Sequence, residues 1–294
     1  MRISTTYQYD SYTNAINAAN QRVTQTQQDL LTGKRINKPS DDPYGATAVI
    51  KMQSIQAGLK QYDSNLVTAK GTLTNTDSAL SDTGTLLNSA YTIALSGANA
   101  ATDPSALPGL ASQITAIQTR LVQLANTQGS NGNYIFAGQK NNAVPYTANA
   151  GVLTFNGDTN SIPVEVGPND KMVSTTDASS VFTTAYAQLE NLKNNLLSGN
   201  AQALSTTSVA DMTNSSQAVQ SLRGDVGTRL QAVADLTSQN GRREDELTTQ
   251  ISGLADTDTS AAITNYQSAL TAYQAALSVA NSGLHLSLMD YLKV

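Results

Sequence analysis

The 294-residue chain contains no cysteine, no tryptophan, three phenylalanines and one histidine. Lack of cysteine excludes disulfides and thiolate metal sites, and leaves the redox compartment unreadable. A single histidine, His285, makes neither a Ser-His-Asp triad nor a multi-histidine metal centre easy to build. It follows a periodic apolar position and reads as a surface or subunit-contact residue. Charged residues make up 13%, about half the usual ~25% share. The net charge of −5 comes without any basic stripe, which argues against nucleic-acid binding driven by counterion release. No apolar run approaches the ~20 residues of a membrane span. Met1–Tyr7 lacks the apolar segment of a secretory signal, so the expectation is a cytosolic protein or one exported without a cleaved signal.

What the chain does have is periodicity. Apolar residues are 39% of the total, much of it alanine, and the large side chains are thinly and regularly spread. Such a distribution suits long helices sharing narrow seams better than one thick core, since each buried Leu or Phe contributes only about 1.5–3 kcal/mol. Tyr9, Tyr12, Ile16, Ala19, Val23, Thr26 and Leu30 alternate spacings of three and four, the seam of a left-handed coiled coil. Gly33 closes that helix in the left-handed conformation. Asp42-Pro43 opens the next, Asp42 as cap and Pro43 at the first helical position. From there the alternation runs through Met52, Ile55, Leu59, Tyr62, Leu66, Ala69, Leu73, Thr76, Leu80, Thr83, Leu87, Ala90 and Ala94. Thr102-Asp103-Pro104 and Pro108 break it. Leu107, Leu110, Ile114, Ile117, Leu121 and Leu124 form a further amphipathic helix, ended by Gly129–Asn133.

Between Tyr134 and Met172 the character changes. Val152–Phe155 and Ile162–Val166 read as short strands joined by a turn at Asn156-Gly157. Helical period returns with Phe182, Tyr186, Leu189, Leu192 and Leu196, followed by a Ser/Thr loop at Ser205–Ser208. Val219, Val226, Val233, Asn240, Leu247 and Leu254 then fall on one seven-residue line whose polar member, Asn240, can fix register. After Asp256–Thr259 the last seam is Ile263, Tyr266, Leu270, Tyr273, Leu277, Ala280 and Leu284. The expected fold is mainly α: an elongated antiparallel helical coiled-coil rod built from both chain ends, with a small β-rich insert at the far tip. Its expected domains are 1–42 with 256–294, 43–133 with 180–255, and the insert 134–179. The heptad line is absent from the insert, so helix packing is expected to survive its deletion.

Chemical sites are scarce. Asp256-Thr257-Asp258 could form half of a carboxylate metal site, or Asp258, Thr259 or Ser260 could cap the last helix. No calcium-loop glycine flanks them, which favours the cap. Gly33-Lys34-Arg35 lacks the other glycines and the Ser/Thr of a phosphate loop. Lys34 and Arg35 suit a helix C-terminus or a contact with a neighbouring subunit. Gly33, Lys34, Arg35, Asp42, Pro43 and Asp258 are thus the hinge and cap residues. The terminal seams pair with each other, yet a two-helix bundle leaves one side uncovered, and extra small faces (Ala15 and Ala18; Ala272, Ala275 and Ala276) accompany them. The candidate assembly interface is therefore Tyr9, Tyr12, Ile16, Val23, Leu30, Ile263, Tyr266, Leu270, Tyr273, Leu277 and Leu284. No catalytic residue, cofactor or metal is expected. A carboxylate metallo-hydrolase using Asp256 and Asp258 and a signalling coiled coil are the rival classes.

Leu31-Thr32-Gly33-Lys34-Arg35-Ile36-Asn37 followed by Asp41-Asp42-Pro43-Tyr44-Gly45 resembles the N-terminal signature of bacterial flagellins. Lys38-Pro39-Ser40-Asp41-Asp42-Pro43, the opening Met1–Thr5 and Tyr134-Ile135-Phe136-Ala137-Gly138 are closer to the hook–filament junction branch of that family, because flagellins proper commonly continue without Pro39. The stretch from Arg229 through Asp258 to Leu292 is also flagellin-like. The resemblance covers both helical arms and leaves about forty residues of the insert unsupported. It implies an extracellular structural subunit, exported through the flagellar export apparatus with an export chaperone. It further implies a ring-like layer of copies of the chain, with the first hook-associated protein on its proximal side and flagellin on its distal side. A filament subunit is the alternative within the family.

Overall fold

The computed structural model describes residues 5–99 and 105–291. Helices α1 (Thr5–Thr32), α2 (Pro43–Asn99) and α3 (Leu107–Ala125) precede strands β1 (Tyr146–Asn149), β2 (Val152–Phe155), β3 (Pro163–Gly167) and β4 (Asp170–Val173). Helix α4 (Ser179–Ser198), the single turn α5 (Ala201–Ala203), α6 (Val209–Ala255) and α7 (Thr259–Tyr291) follow. The fold is mainly α, as the periodicity predicts. Two compact units result, one of residues 1–58 with 243–294 and one of residues 59–242; α2 and α6 supply residues to both. The expected break at Thr102–Pro104 lies outside the described residues.

Residues 59–242 share one apolar cluster. Leu66, Leu73, Leu80 and Leu87 of α2 are almost wholly buried, as are Val219, Val226 and Val233 of α6. Two seam positions in α2 are threonines, and they stay buried because each hydroxyl donates to its own helix: Thr76 to the Thr72 carbonyl at 2.9 Å and Thr83 to the Ala79 carbonyl at 2.8 Å. Asn240 is buried on the α6 line and donates to Asp63 Oδ1 at 3.0 Å. Helices α3 and α4 pack together within the same cluster. Gly199, at φ +64°, ends α4 and donates to the Leu196 carbonyl at 3.2 Å.

The segment 134–179 has no core of its own. Phe136, Tyr146, Leu153 and Val166 belong to the cluster that holds Phe182 and Leu189 of α4. Phe182 meets Phe136 edge-on at 5.0 Å and Tyr146 at 5.4 Å, a preferred aromatic geometry. Pairing of the strands differs from the expectation. Strand β2 pairs antiparallel with β1, not with β3, across a turn at Ala150-Gly151, and β3 pairs with β4 across Pro168-Asn169. Ala150 and Gly151 both have positive φ, 49° and 81°, as the tight turns favoured in hairpins require. Asn156-Gly157 is a point of close approach instead: a Cβ at Gly157 would stand 2.6 Å from the Phe155 ring and 2.9 Å from the Ala137 carbonyl oxygen. The Ser/Thr stretch after α4 is likewise not an open loop. Leu204–Ser208 forms a π-helical turn, with Leu204 and Ser208 buried, that leads into α6.

Candidate assembly site

Within the unit formed by residues 1–58 and 243–294, the two chain ends meet twice: in a linker clasp, and along α1 and α7. Both linkers begin where a helix has to stop. Gly33 follows α1 at φ +68°, and nothing stands within 4 Å of where its Cβ would be. The requirement there is conformational, not steric. The α1–α2 linker then runs antiparallel to the α6–α7 linker, their backbones paired at Lys34 and Asp256. Thr257 N–H donates to the Gly33 carbonyl at 2.9 Å, and Arg35 N–H to the Ala255 carbonyl at 2.7 Å. Arg35 Nη2 donates to the Leu254 carbonyl at 2.8 Å and lies 3.7 Å from Asp42 Oδ2. One guanidinium thus satisfies a free carbonyl at the end of α6 and faces the carboxylate at the start of α2.

The four aspartates of the two linkers are spent on backbone amides or on their own helix. Asp42 Oδ1 accepts from Gly45 N–H at 2.9 Å, with Pro43 first in α2. Asp41 Oδ2 accepts from Asn37 and Lys38 N–H at 3.0 and 2.8 Å. Asp258 Oδ1 accepts from Ser260 and Ala261 N–H at 2.8 and 3.1 Å, capping α7. Asp256 Oδ2 accepts from Ser252 Oγ at 2.5 Å. Among the described residues no three His, Asp or Glu side chains gather as a metal would need.

Helices α1 and α7 pack along their length, but the buried line on α7 is not the one that the large side chains suggest. It runs Ala262, Tyr266, Ala269, Tyr273, Ala276, Ala280 and Gly283, alternately four and three apart, with the alanines 262, 269 and 280 buried and the others half-buried. A Cβ at Gly283 would lie 2.6 Å from the Tyr12 hydroxyl and 2.8 Å from its ring carbon. Small residues let the backbones approach while Tyr12, Ile16, Val23 and Leu30 of α1 are partly covered. Tyr9 is exposed. Ile263, Leu270 and Leu277 are one position round from the seam, 43%, 36% and 42% exposed. Together they make an open aliphatic line with a spacing of seven. The side chain of Leu284, like that of His285, lies outside the described residues. The expected seam is corrected accordingly: Tyr266, Tyr273 and Ala280 are on it, whereas Ile263, Leu270 and Leu277 flank it. The repeat of Ala262, Ala269 and Ala276 was the available signal, and a search keyed to large apolar residues passes over it.

Residues 3–141 match the family model described as the bacterial flagellin N-terminal helical region. Over 292 residues the chain is 28% identical to flagellar hook-associated protein 3 of Escherichia coli, covering 90% of this chain and 92% of that protein. The fold resembles the crystal structure of FlgL from Bacillus cereus, with a TM-score of 0.61 at 18% identity, over 69% of this chain and 99% of that one. It also resembles the flagellar junction protein FlgL from Legionella pneumophila, with a TM-score of 0.61 at 14% identity, over 71% and 99% respectively.

Proposed function

We propose that the chain is a member of the bacterial flagellin family and a structural subunit of the flagellum, forming the junction layer between the hook-associated zone and the filament. The open line Ile263, Leu270 and Leu277 beside a closed α1–α7 seam carries this reading. Three large aliphatic side chains left partly in water at one spacing of seven are a surface for another helix, and covering them stabilises a lateral contact between copies. Similarity to hook-associated protein 3 over nine-tenths of the chain supports the junction in particular. In this reading the clasp residues Gly33, Lys34, Arg35, Asp42, Pro43 and Asp258 hold the two terminal helices in one register, so that both enter the assembly as a unit. Residues 1–42 with 256–294 form the assembly module, 43–133 with 180–255 the long-helix module, and 134–179 faces outward. The layer is ring-like. Its neighbours are the first hook-associated protein on the proximal side and flagellin on the distal side. The subunit reaches its extracellular position through the flagellar export apparatus with an export chaperone, and its role is mechanical, not catalytic.

A filament subunit is the second reading, favoured by the match of residues 3–141 to the flagellin N-terminal region. Deleting the gene and examining cells by electron microscopy separates the two. Hooks without filaments, with flagellin shed into the medium and attachment restored by the intact gene, are the expected result. Normal filaments on the deletion strain refute the junction role, and hooks that release no flagellin favour the filament subunit.

A further inference from the structure

A cavity of about 430 Å³ opens between the loops at 136–138 and 158–161, the end of β4, residues 175–177 ahead of α4, and Arg229 of α6. All of its lining residues belong to the unit of residues 59–242. Its size suits a small molecule, and its lining is mixed. Phe136, Met172 and Val173 supply apolar wall, while Asp158, Asp177 and Arg229 bring charge to the same space. Each charged group has part of its bonding capacity committed to backbone. Asp158 Oδ1 accepts from Gln139 and Asn160 N–H at 2.8 and 3.0 Å. Asp177 Oδ1 accepts from Ser179 N–H at 2.9 Å. Arg229 Nη1 donates to the Thr175 carbonyl at 2.8 Å. The wall also holds a buried hydroxyl, Thr176 Oγ1, with no hydrogen-bond partner in the protein.

We propose that this cavity binds a neutral saccharide unit. Three features select that chemistry. The carboxylates are held in place through one oxygen each, and the second oxygen of each is a fixed acceptor for a ligand hydroxyl, a charge-assisted bond stronger than a neutral one. Arg229 Nη1 is committed to the Thr175 carbonyl, so fewer of its donors remain for a ligand carboxylate, which weighs against amino acids and other anions. Two carboxylates against one guanidinium leave the site at net −1, repelling anions further, while the apolar wall of Met172 and Val173 suits the C–H face of a sugar ring.

The test is amide-resolved NMR of the full chain titrated with D-glucose, D-galactose, maltose and dextran, and with glycine betaine as a zwitterion control. Shifts confined to Gln139, Asn160, Ser161, Thr176 and their neighbours are expected with at least one sugar. Asp158→Asn and Asp177→Asn each retain the oxygen that accepts from the backbone but turn the free acceptor into a donor. Each is expected to weaken sugar binding about tenfold, equivalent to 1.4 kcal/mol, while the amide spectrum of the α3–α4 core stays unchanged. Response to the free sugars assigns the source as a soluble saccharide, and response to dextran alone assigns it as a polymer chain. No shift with any sugar overturns the proposal. Sugar shifts located elsewhere, or stronger shifts with betaine at these same amides, overturn it too, as does unaltered affinity in both variants.

Discussion

Ala269 and Leu270 are neighbours on α7, yet the structure assigns them opposite consequences when each is replaced by aspartate. Ala269 is 9% exposed, on the line that closes against α1. Its buried companions on that line, Ala262 and Ala280, carry one methyl each, and at about 0.8 kcal/mol per buried carbon the three contribute on the order of 2–3 kcal/mol. A carboxylate among them has no cationic partner in the seam and costs several kcal/mol to bury. Ala269→Asp therefore cancels the whole contribution of the alanine line, and α7 should separate from α1. Leu270 already has 36% of its surface in water. Leu270→Asp loses the covered two-thirds, about 1–2 kcal/mol of a full leucine's 1.5–3, but its carboxylate reaches solvent and the seam stays closed. Hydrogen exchange of amides 262–283 in the isolated subunit reads the difference, with protection lost in the first variant and largely kept in the second. Incorporation into hooks of a deletion strain should fail for both. Equal loss of protection in the two variants, or continued incorporation of Leu270→Asp, refutes the assignment of one buried line and one open one.

Gly138 has φ +65°, and a Cβ there would sit 2.1 Å from the Asp158 carbonyl oxygen; Gly138→Ala should cost roughly 3 kcal/mol or more through strain and backbone clash together, read as a lowered urea midpoint. At Glu190, burial opposes ionisation, but hydrogen bonds from Gln118 at 2.9 Å and from Lys193 at 2.6 Å outweigh it and hold the carboxyl below its ordinary value of 4.5. Its stabilisation is thus fully present above about pH 4.5 and lost as pH falls through the folded value, so Glu190→Gln should cost about 1–2 kcal/mol at pH 7 and next to nothing in strong acid, by urea titration at several pH values. Deleting residues 141–179 removes Tyr146, Leu153 and Val166 from the shared cluster and uncovers Phe136 and Phe182; the melting of the 59–242 unit should drop by the equivalent of about 3–5 kcal/mol. An unchanged thermal transition would restore the expectation that the helices pack without the insert.

The long seams were legible because they are written in large side chains. Leu59, Leu66, Leu73, Leu80 and Leu87 repeat every seven residues, as do Val219, Val226 and Val233, and all eight are buried. Helix ends were legible for a local reason: Gly33 and Asp42 act within a few residues of themselves, so chain neighbours suffice to place them. Strand pairing was not. The choice between β1–β2 and β2–β3 depends on whether the turn falls at Ala150-Gly151 or Asn156-Gly157, and the second pair carries the stronger hairpin preference. What decides it is burial of Tyr146 beside Phe155, ring to ring at 5.0 Å, and beside Phe182 of α4, a contact that no local window contains. The saccharide cavity was equally invisible, since Asp158, Asp177 and Arg229 converge from a loop, the residues before α4, and α6.

The one misread phase, in α7, has a physical meaning of its own. In α2 the leucines of the seven-residue line, Leu59 to Leu87, face inward, with Ala69, Ala79, Ala90 and Ala94 buried among them. In α7 the order is reversed: alanine and glycine close against α1, and Ile263, Leu270, Leu277 and the still more exposed Val279 are left towards solvent. A helix with only one partner gains nothing from leaving Ile263, Leu270 and Leu277 partly in water, yet turning it by one position to bury them would bring Gln267, Gln274 and Asn281 into the seam in place of Tyr266, Tyr273 and Ala280. Alanine seams make sense when close approach of two backbones is needed and the larger side chains are committed to a second contact. The pattern is that of a helix with two interfaces, one made within the chain and one made by assembly.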